Sequence, residues 1–215
     1  VVVLGACALA AVLFRAAGIR MRDAGAPEAA HERLGRTFAL LTGVFFLAAV
    51  AGLTALSQAA GIVQAYGGSA VLAVAATTFL SGAVGAARIG GGWLVDHFAA
   101  ARVGIGAHAL SLAGALLLAL VPGPTTAAVA LALIGVGYGI VSGLAAGAIA
   151  QYWHRNAFGH VASRLYVAWC LAAVSLPVVA GALFDRTGSY APAIWIAVGI
   201  NALGIAIARS LPRRG

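Results

Sequence analysis

Long apolar segments separated by short polar breaks dominate this 215-residue chain. Seven such segments can be delimited, each close to the roughly 20 residues an α-helix needs to cross a bilayer. The first runs from Val1 to about Ile19. A polar stretch, Arg20 to Arg36, follows and holds three of the acidic residues: Asp23, Glu28 and Glu32. The second segment is about Thr37 to Ala65, closed by Tyr66-Gly67-Gly68. The third is about Ala70 to Val95, and the fourth about Val103 to Val121, closed by Pro122-Gly123-Pro124. The fifth is about Thr125 to Ala150, the sixth about Leu165 to Phe184, and the seventh about Ala191 to Ala208. A basic tail, Arg209 to Gly215, ends the chain. The pattern predicts an all-α polytopic membrane protein.

Composition strengthens this reading. The chain is 63% hydrophobic and 8% charged, with a mean hydropathy of +1.03. Soluble domains carry about a quarter charged residues. The net charge is +8, and every basic residue is Arg. No basic stripe with interleaved aromatics is present, so nucleic acid is not an expected partner. Arginines beside membrane spans orient the chain instead. Assigned to alternating sides, Arg15, Arg20, Arg22, Arg33, Arg36, Arg102, Arg155, Arg164, Arg209, Arg213 and Arg214 fall on one side and Arg186 alone on the other. The Arg-rich side is therefore expected in the cytoplasm, with the start of the chain outside and the C-terminus inside the plasma (inner) membrane. Cys7 and Cys170 each lie in an apolar run without metal-ligand spacing and are expected to pack as small residues. The first run has no basic segment before it and no cleavage site. It reads as a chain that begins part-way through a larger protein.

An internal match is hidden in the spans. Gly92-Trp93-Leu94-Val95-Asp96 and Gly181-Ala182-Leu183-Phe184-Asp185 both read Gly, three residues, Asp, at the end of an apolar helix. They lie three spans apart, so they end on opposite sides. An inverted repeat of three helices requires this, with spans two to four forming one copy and spans five to seven the other.

"RIGGGWLVDHFAAAR" (88–102) resembles the loop motif between the eighth and ninth helices of the major facilitator superfamily. "PVVAGALFDRTGSYAPA" (177–193) resembles the end of that family's eleventh helix, and "QYWHRNAFGHVASR" (151–164) its loop between helices ten and eleven. The resemblance implies a secondary transporter represented by its C-terminal half. Residues 1–19 would be the last helix of the missing N-terminal half and 20–36 the cytoplasmic central loop. Residues 37–122 would form the first three-helix repeat, and 123–215 the second with its basic tail. Gly92, Asp96, Arg102, Gly181, Asp185 and Arg186 would form the conformational gating motif. His97 and Ala99 depart from it, standing where the family has a basic residue and a Gly. Asp96 stands at a helix C-terminus, whose partial charge is itself negative. Its expected donors are the N-terminus of a neighbouring helix or Arg102, an arrangement that by resemblance latches the inside-closed state.

Arg88 belongs to neither side, because it lies deep inside the third span. Eight residues before Asp96, it lies roughly 12 Å from the helix end at 1.5 Å per residue. At such depth a charge costs at least ~2.5–3.5 kcal/mol on insertion scales. Three interactions offset such a cost: snorkelling to the surface, pairing with an acid (none lies inside a span of this chain), or facing a watery cavity that takes an anionic substrate. Thr77, Ser81 and Arg88 share a polar helix face, opposite apolar Val74, Leu80 and Ala83. A guanidinium suits a carboxylate through two parallel hydrogen bonds. In the similar carriers of monocarboxylates and of oxalate and formate, an arginine four residues before the motif's first Gly contacts the substrate carboxylate, and Arg88 stands four before Gly92. Gly82, Gly85, Gly90, Gly91 and Gly92 are read as surfaces for close helix approach, either for sliding during transport or for plain packing.

Thr54, Ser57, Gln58, Tyr138, Tyr166, Trp169, Ser175 and Asn201 either line the cavity or tie helices together. Gln58 and Tyr138, read as near midspan, join Arg88, Ser81 and Thr77 as candidate substrate contacts. His108 is a candidate for proton coupling, and Pro177 a candidate kink. His154 and His160 lack zinc-ligand spacing, and no dinucleotide or phosphate-cradling motif occurs. No cofactor, metal or enzymatic activity is expected. The combined expectation is secondary active transport of a small, monocarboxylate-like organic anion by alternating access, with a proton or an exchanged anion as a further partner. The rivals are efflux of apolar drug-like compounds by the same fold and a non-transport protein of seven membrane helices.

Overall fold

The computed structural model describes residues 34–212. The first expected span (1–19), nearly all of the expected central loop (20–36), Cys7, Arg213 and Arg214 lie outside the described residues.

The described chain is helical, with no strand: α1 Gly35–Ala65, α2 Ala70–His97, α3 Ala100–Leu120, α4 Pro124–Tyr152, a 3-10 turn Arg155–Ala157, α5 Phe158–Ala173, α6 Leu176–Thr187 and α7 Ala191–Arg209. Local chemistry sets the boundaries. The Ser69 hydroxyl caps α2 by accepting from the Leu72 amide at 3.2 Å. Proline stands in the first turn of α4, α6 and α7, where its missing N–H leaves no gap. Gly188 ends α6 in the left-handed conformation at φ 66°, which a Cβ disfavours. Among the described residues, six helices are long and apolar enough to cross a membrane, counting α5 and α6 as the single crossing Phe158–Thr187. The protein is thus a multi-pass membrane protein by architecture.

Two differences from the sequence expectation are local. The sixth span begins at Phe158 rather than about Leu165. Val161 and Leu165 are buried four residues apart, while Ser163 and Arg164 face outward. An amphipathic turn therefore extends a helix whose polar face had suggested a loop. The expected kink at Pro177 is a complete break. Proline has no N–H for the carbonyl one turn earlier, and the chain leaves the helix at Val174–Ser175. The Ser175 amide and hydroxyl both donate to the Ala172 carbonyl, at 3.3 Å and 2.8 Å.

Helices α1 and α4 occupy the centre. α4 packs on α2, α3 and α1; α1 packs on α4, on α5 and α6, and on α7; α3 packs on α7. Exchanging α1 with α4, α2 with α5–α6, and α3 with α7 preserves these pairings, but not the further packing of α1 on α2, whose counterpart between α4 and α5 is slight. The α2–α4 seam is the closest. Gly135, Gly139, Gly143 and Gly147 recur every fourth residue along α4 and therefore share one face. A Cβ at Gly143 would collide with the Arg88 carbonyl, one at Gly139 with the Val84 carbonyl, and one at Gly147 with Val95. From α2 only Gly91 reciprocates, against the Ile140 backbone. Gly82, Gly85, Gly90 and Gly92 have nothing within 4 Å of a would-be Cβ. The close approach is thus made mainly by α4, not by the α2 glycines expected to provide it. Between helices in lipid, such van der Waals contact is a principal source of association.

Gly143→Ala should force α2 and α4 apart and destabilise the protein by about 1–3 kcal/mol. Gly82→Ala, in open space, should be neutral or stabilise by up to ~1 kcal/mol through helix propensity. Thermal unfolding of both variants in detergent, followed by circular dichroism, checks the contrast.

Candidate functional site

The α4 glycine face fixes where Arg88 sits. Its backbone lies against Gly143, about 13 Å from the C-terminal end of α2 at 1.5 Å per residue. Its guanidinium reaches Tyr138, the middle residue of α4. Arg88 Nη2 donates to the Tyr138 hydroxyl at 3.2 Å, and the guanidinium carbon lies 5.6 Å from the ring centroid. The side chain therefore neither snorkels to the helix end nor pairs with an acid among the described residues. It remains exposed, while Tyr138 is 1% exposed.

Two further helices complete the arrangement. Trp169 of α5 donates its indole N–H to the same Tyr138 oxygen at 2.8 Å. Gly52 of α1 leaves the space that the Tyr138 ring fills, since a Cβ there would overlap the ring. Four helices thus meet at one phenol. The hydroxyl oxygen accepts two N–H bonds, which use both of its lone pairs, and its own proton remains to be donated. Trp169 also packs against both buried cores of the bundle, one built around Leu80 and Leu131 and the other around Leu41 and Leu144. The cluster accordingly sits at the waist between them.

The other expected contacts separate into those near this cluster and those elsewhere. On α2, Ser81 is exposed and Thr77 half-buried. Both hydroxyls donate to their own helix, Ser81 to the Thr77 carbonyl at 2.9 Å and Thr77 to the Ala73 carbonyl at 2.8 Å. They keep only acceptor capacity. Leu80 is buried as expected of the apolar side, whereas Val74 is 66% exposed. Gln58 lies toward the other end of α1 and is engaged there. Its amide donates to the Pro177 carbonyl at 3.2 Å and accepts from the Tyr190 hydroxyl at 3.1 Å. Burial first, and the Asp185 carboxylate second, push the Tyr190 phenol above its usual range, which keeps its proton available for Gln58. Phe184 stacks on Tyr190 at 4.3 Å. Gln58 therefore clasps α6 and the α6–α7 turn to α1 and does not join the Arg88 cluster.

His108 is 1% exposed and joins three helices. Its Nε2 donates to the Val44 carbonyl of α1 at 3.2 Å, and its Nδ1 faces Asn201 Oδ1 of α7 at 3.1 Å. Gly204 leaves room for the ring. Tyr166 makes an edge contact with Phe45 and is 51% exposed. Cys170 is exposed, contrary to the packing role expected from its apolar run, because it lies on the outer face of α5.

Of the gating residues, Gly92 and Asp96 lie in the last two turns of α2, and Gly181, Asp185 and Arg186 lie in α6. Both carboxylates are exposed and neither is paired with a basic group among the described residues. Arg102 instead lines two cavities with other residues. No group of three or more metal-ligating side chains occurs among the described residues. Sequence reasoning did not find Gly52 or the α4 glycine face, although the four-residue spacing of the latter is a legible signal. No protein-family model matches the chain, and no curated protein is significantly similar to it.

Tyr138→Phe should strand the Trp169 N–H and release Arg88, costing about 1–2 kcal/mol of stability. Trp169→Phe in the Tyr138→Phe background should cost little more, because the bond is already gone. Thermal melts of the two single variants and the double variant measure this coupling.

Proposed function

We propose that this chain is the C-terminal half of a secondary transporter of the major facilitator type, and that it carries a small organic anion with one carboxylate. The observation that carries the reading is the Arg88 guanidinium, held at mid-depth by Tyr138 while still exposed. A lone cation at that depth is costly in lipid and is ordinarily functional.

The chemistry of the cluster suits a carboxylate. One of the five guanidinium N–H groups is used on Tyr138, leaving the others for a planar acceptor. The phenol proton, unused because the oxygen already accepts twice, adds a neutral donor beside the charge. Trp169 holds the phenol in place. The resulting donor set would orient one carboxylate, and the rest of the ligand would meet the apolar and hydroxyl-bearing face of α2 that includes Ser81 and Thr77.

Transport would follow from charge compensation. An unoccupied guanidinium resists being sealed from water, whereas a neutralised one is far cheaper to enclose. Substrate binding would thereby favour closing one side and opening the other, the essence of alternating access. The pairings that this exchange preserves, α2–α4 with α1–α5/α6 and α3–α4 with α1–α7, support two three-helix repeats, α1–α3 and α4–α7. The matching Gly-x-x-x-Asp runs fall at the C-terminal ends of the exchanged elements α2 and α6. The missing N-terminal half would supply the opposite wall, and Gly92, Asp96, Arg102, Gly181, Asp185 and Arg186 the gating contacts. The arginine asymmetry supports a plasma-membrane protein with a cytoplasmic C-terminus.

Arg88→Lys in the full-length carrier should lower carboxylate uptake at least ~10-fold at normal expression, because an ammonium replaces a bidentate fork by a point charge. Uptake into proteoliposomes, compared between a monocarboxylate and its neutral amide, measures this. Unchanged carboxylate uptake would overturn the anion site.

A further inference from the structure

At the arginine-rich end of the bundle, two cavities of opposite character meet at one residue. The first is a polar chamber of about 720 Å³ lined by His97, Ala99, Ala101, Arg102, Ile105, Arg209 and Leu211. Its volume lies within the range of small-molecule sites, about 300–1,000 Å³. It opens where the start of α3 meets the end of α7, and Arg102 and Arg209 are both exposed. His97 donates through Nδ1 to the Trp93 carbonyl at 2.8 Å and lies against the Trp93 ring, 4.3 Å away. Among the described residues no acidic side chain lines the chamber; Asp96 precedes His97 but is not part of the wall.

The second cavity is an apolar groove of about 280 Å³, walled by Leu94, Phe98, Val103, Gly106, Ala107 and Ile140, with Arg102 at its edge. It lies among α2, α3 and α4 and runs toward the bilayer interior. Ile140 is twelve residues from the end of α4, roughly 18 Å at 1.5 Å per residue. Gly106 adds depth, since a Cβ there would meet nothing within 4 Å. Trp93, 57% exposed, and Phe98, 45% exposed, flank the same loop, as amphipathic and aromatic residues do at a membrane interface.

We infer that these cavities together form a binding site for one anionic phospholipid, with its phosphodiester headgroup between Arg102 and Arg209 and an acyl chain along the groove. A basic chamber alone would suit any phosphate. A greasy groove alone would suit any lipid. Their junction at Arg102 selects a molecule that carries both a negative headgroup and a hydrocarbon chain. Basic pockets between membrane helices at the headgroup level recognise such lipids. The site is separate from the Arg88 cluster, and the inference stands whether or not the protein carries anions.

The test uses the full-length protein, delipidated in detergent and offered phosphatidylglycerol and phosphatidylcholine of matched chains, with bound lipid counted by native mass spectrometry. With two arginines at the headgroup, the expected preference for phosphatidylglycerol is about thirtyfold. The variant Arg102→Gln with Arg209→Gln should bring the two lipids to parity. Gly106→Leu fills the groove and should reduce retention of phosphatidylglycerol without disturbing the arginines. Glycerol 3-phosphate, the headgroup chemistry without chains, should not displace the lipid at equal concentration. Circular dichroism confirms that each variant keeps its helices. Equal retention of the two lipids by the wild type, an undiminished preference in the double Arg variant, or displacement by glycerol 3-phosphate would each overturn the proposal.

Discussion

The close contact of α2 with α4 is the constraint on which the rest of this architecture depends. In lipid, burying a hydrocarbon side chain against another gains little over leaving it in acyl tails, so helices associate where their backbones can approach. The glycine face of α4 permits that approach from Gly135 to Gly147, roughly three turns. It places the Arg88 carbonyl directly against Gly143 and the Val84 carbonyl against Gly139. Once this register is set, the long arginine side chain reaches Tyr138, one turn away on α4. A shift of α2 by one turn would carry the guanidinium past its phenol.

Around that seam, the polar groups inside the spans are almost all placed with partners. Thr54 bonds back to Val50, Ser111 to Ile134, and Asn201 to Ala197. His108 holds α1, α3 and α7 together, and Gln58 holds α1 to α6 and the following turn. These bonds fix which faces meet, a role for which generic apolar surfaces are poorly suited. They also set Arg88 apart. It has a partner in Tyr138, yet it is exposed and carries several unused donors, so holding the bundle together does not account for it.

Much of the architecture was legible in the sequence because the signals were long. Apolar runs of helical length, interrupted by Gly-Gly, Pro-Gly-Pro and arginines, locate the six described crossings to within a few residues, apart from the start of the sixth. Arg88 stood out because a charge deep in an apolar run is costly and demands a compensating interaction. Tyr138 was visible as a polar residue at midspan and nothing more. Its convergence with Trp169 and Gly52 depends on three-dimensional neighbours that no local pattern encodes. The partners of Gln58 were hidden for the same reason: its polarity was visible, but its attachment to Pro177 and Tyr190 spans more than a hundred residues of sequence. The α2 glycines illustrate the converse. Their clustering was conspicuous, yet four of the five face open space, while the evenly spaced α4 glycines form the actual seam.

The interruption between α5 and α6 has a mechanical consequence. At Val174–Ser175 the chain has already given up its regular helical bonding, so flexing there sacrifices little further cohesion. The rod on one side carries Trp169, and the rod on the other is fastened by Gln58. A crossing built in this way acts as a jointed lever rather than a stiff post: one arm can tilt with the waist of the bundle while the other keeps its grip on α1.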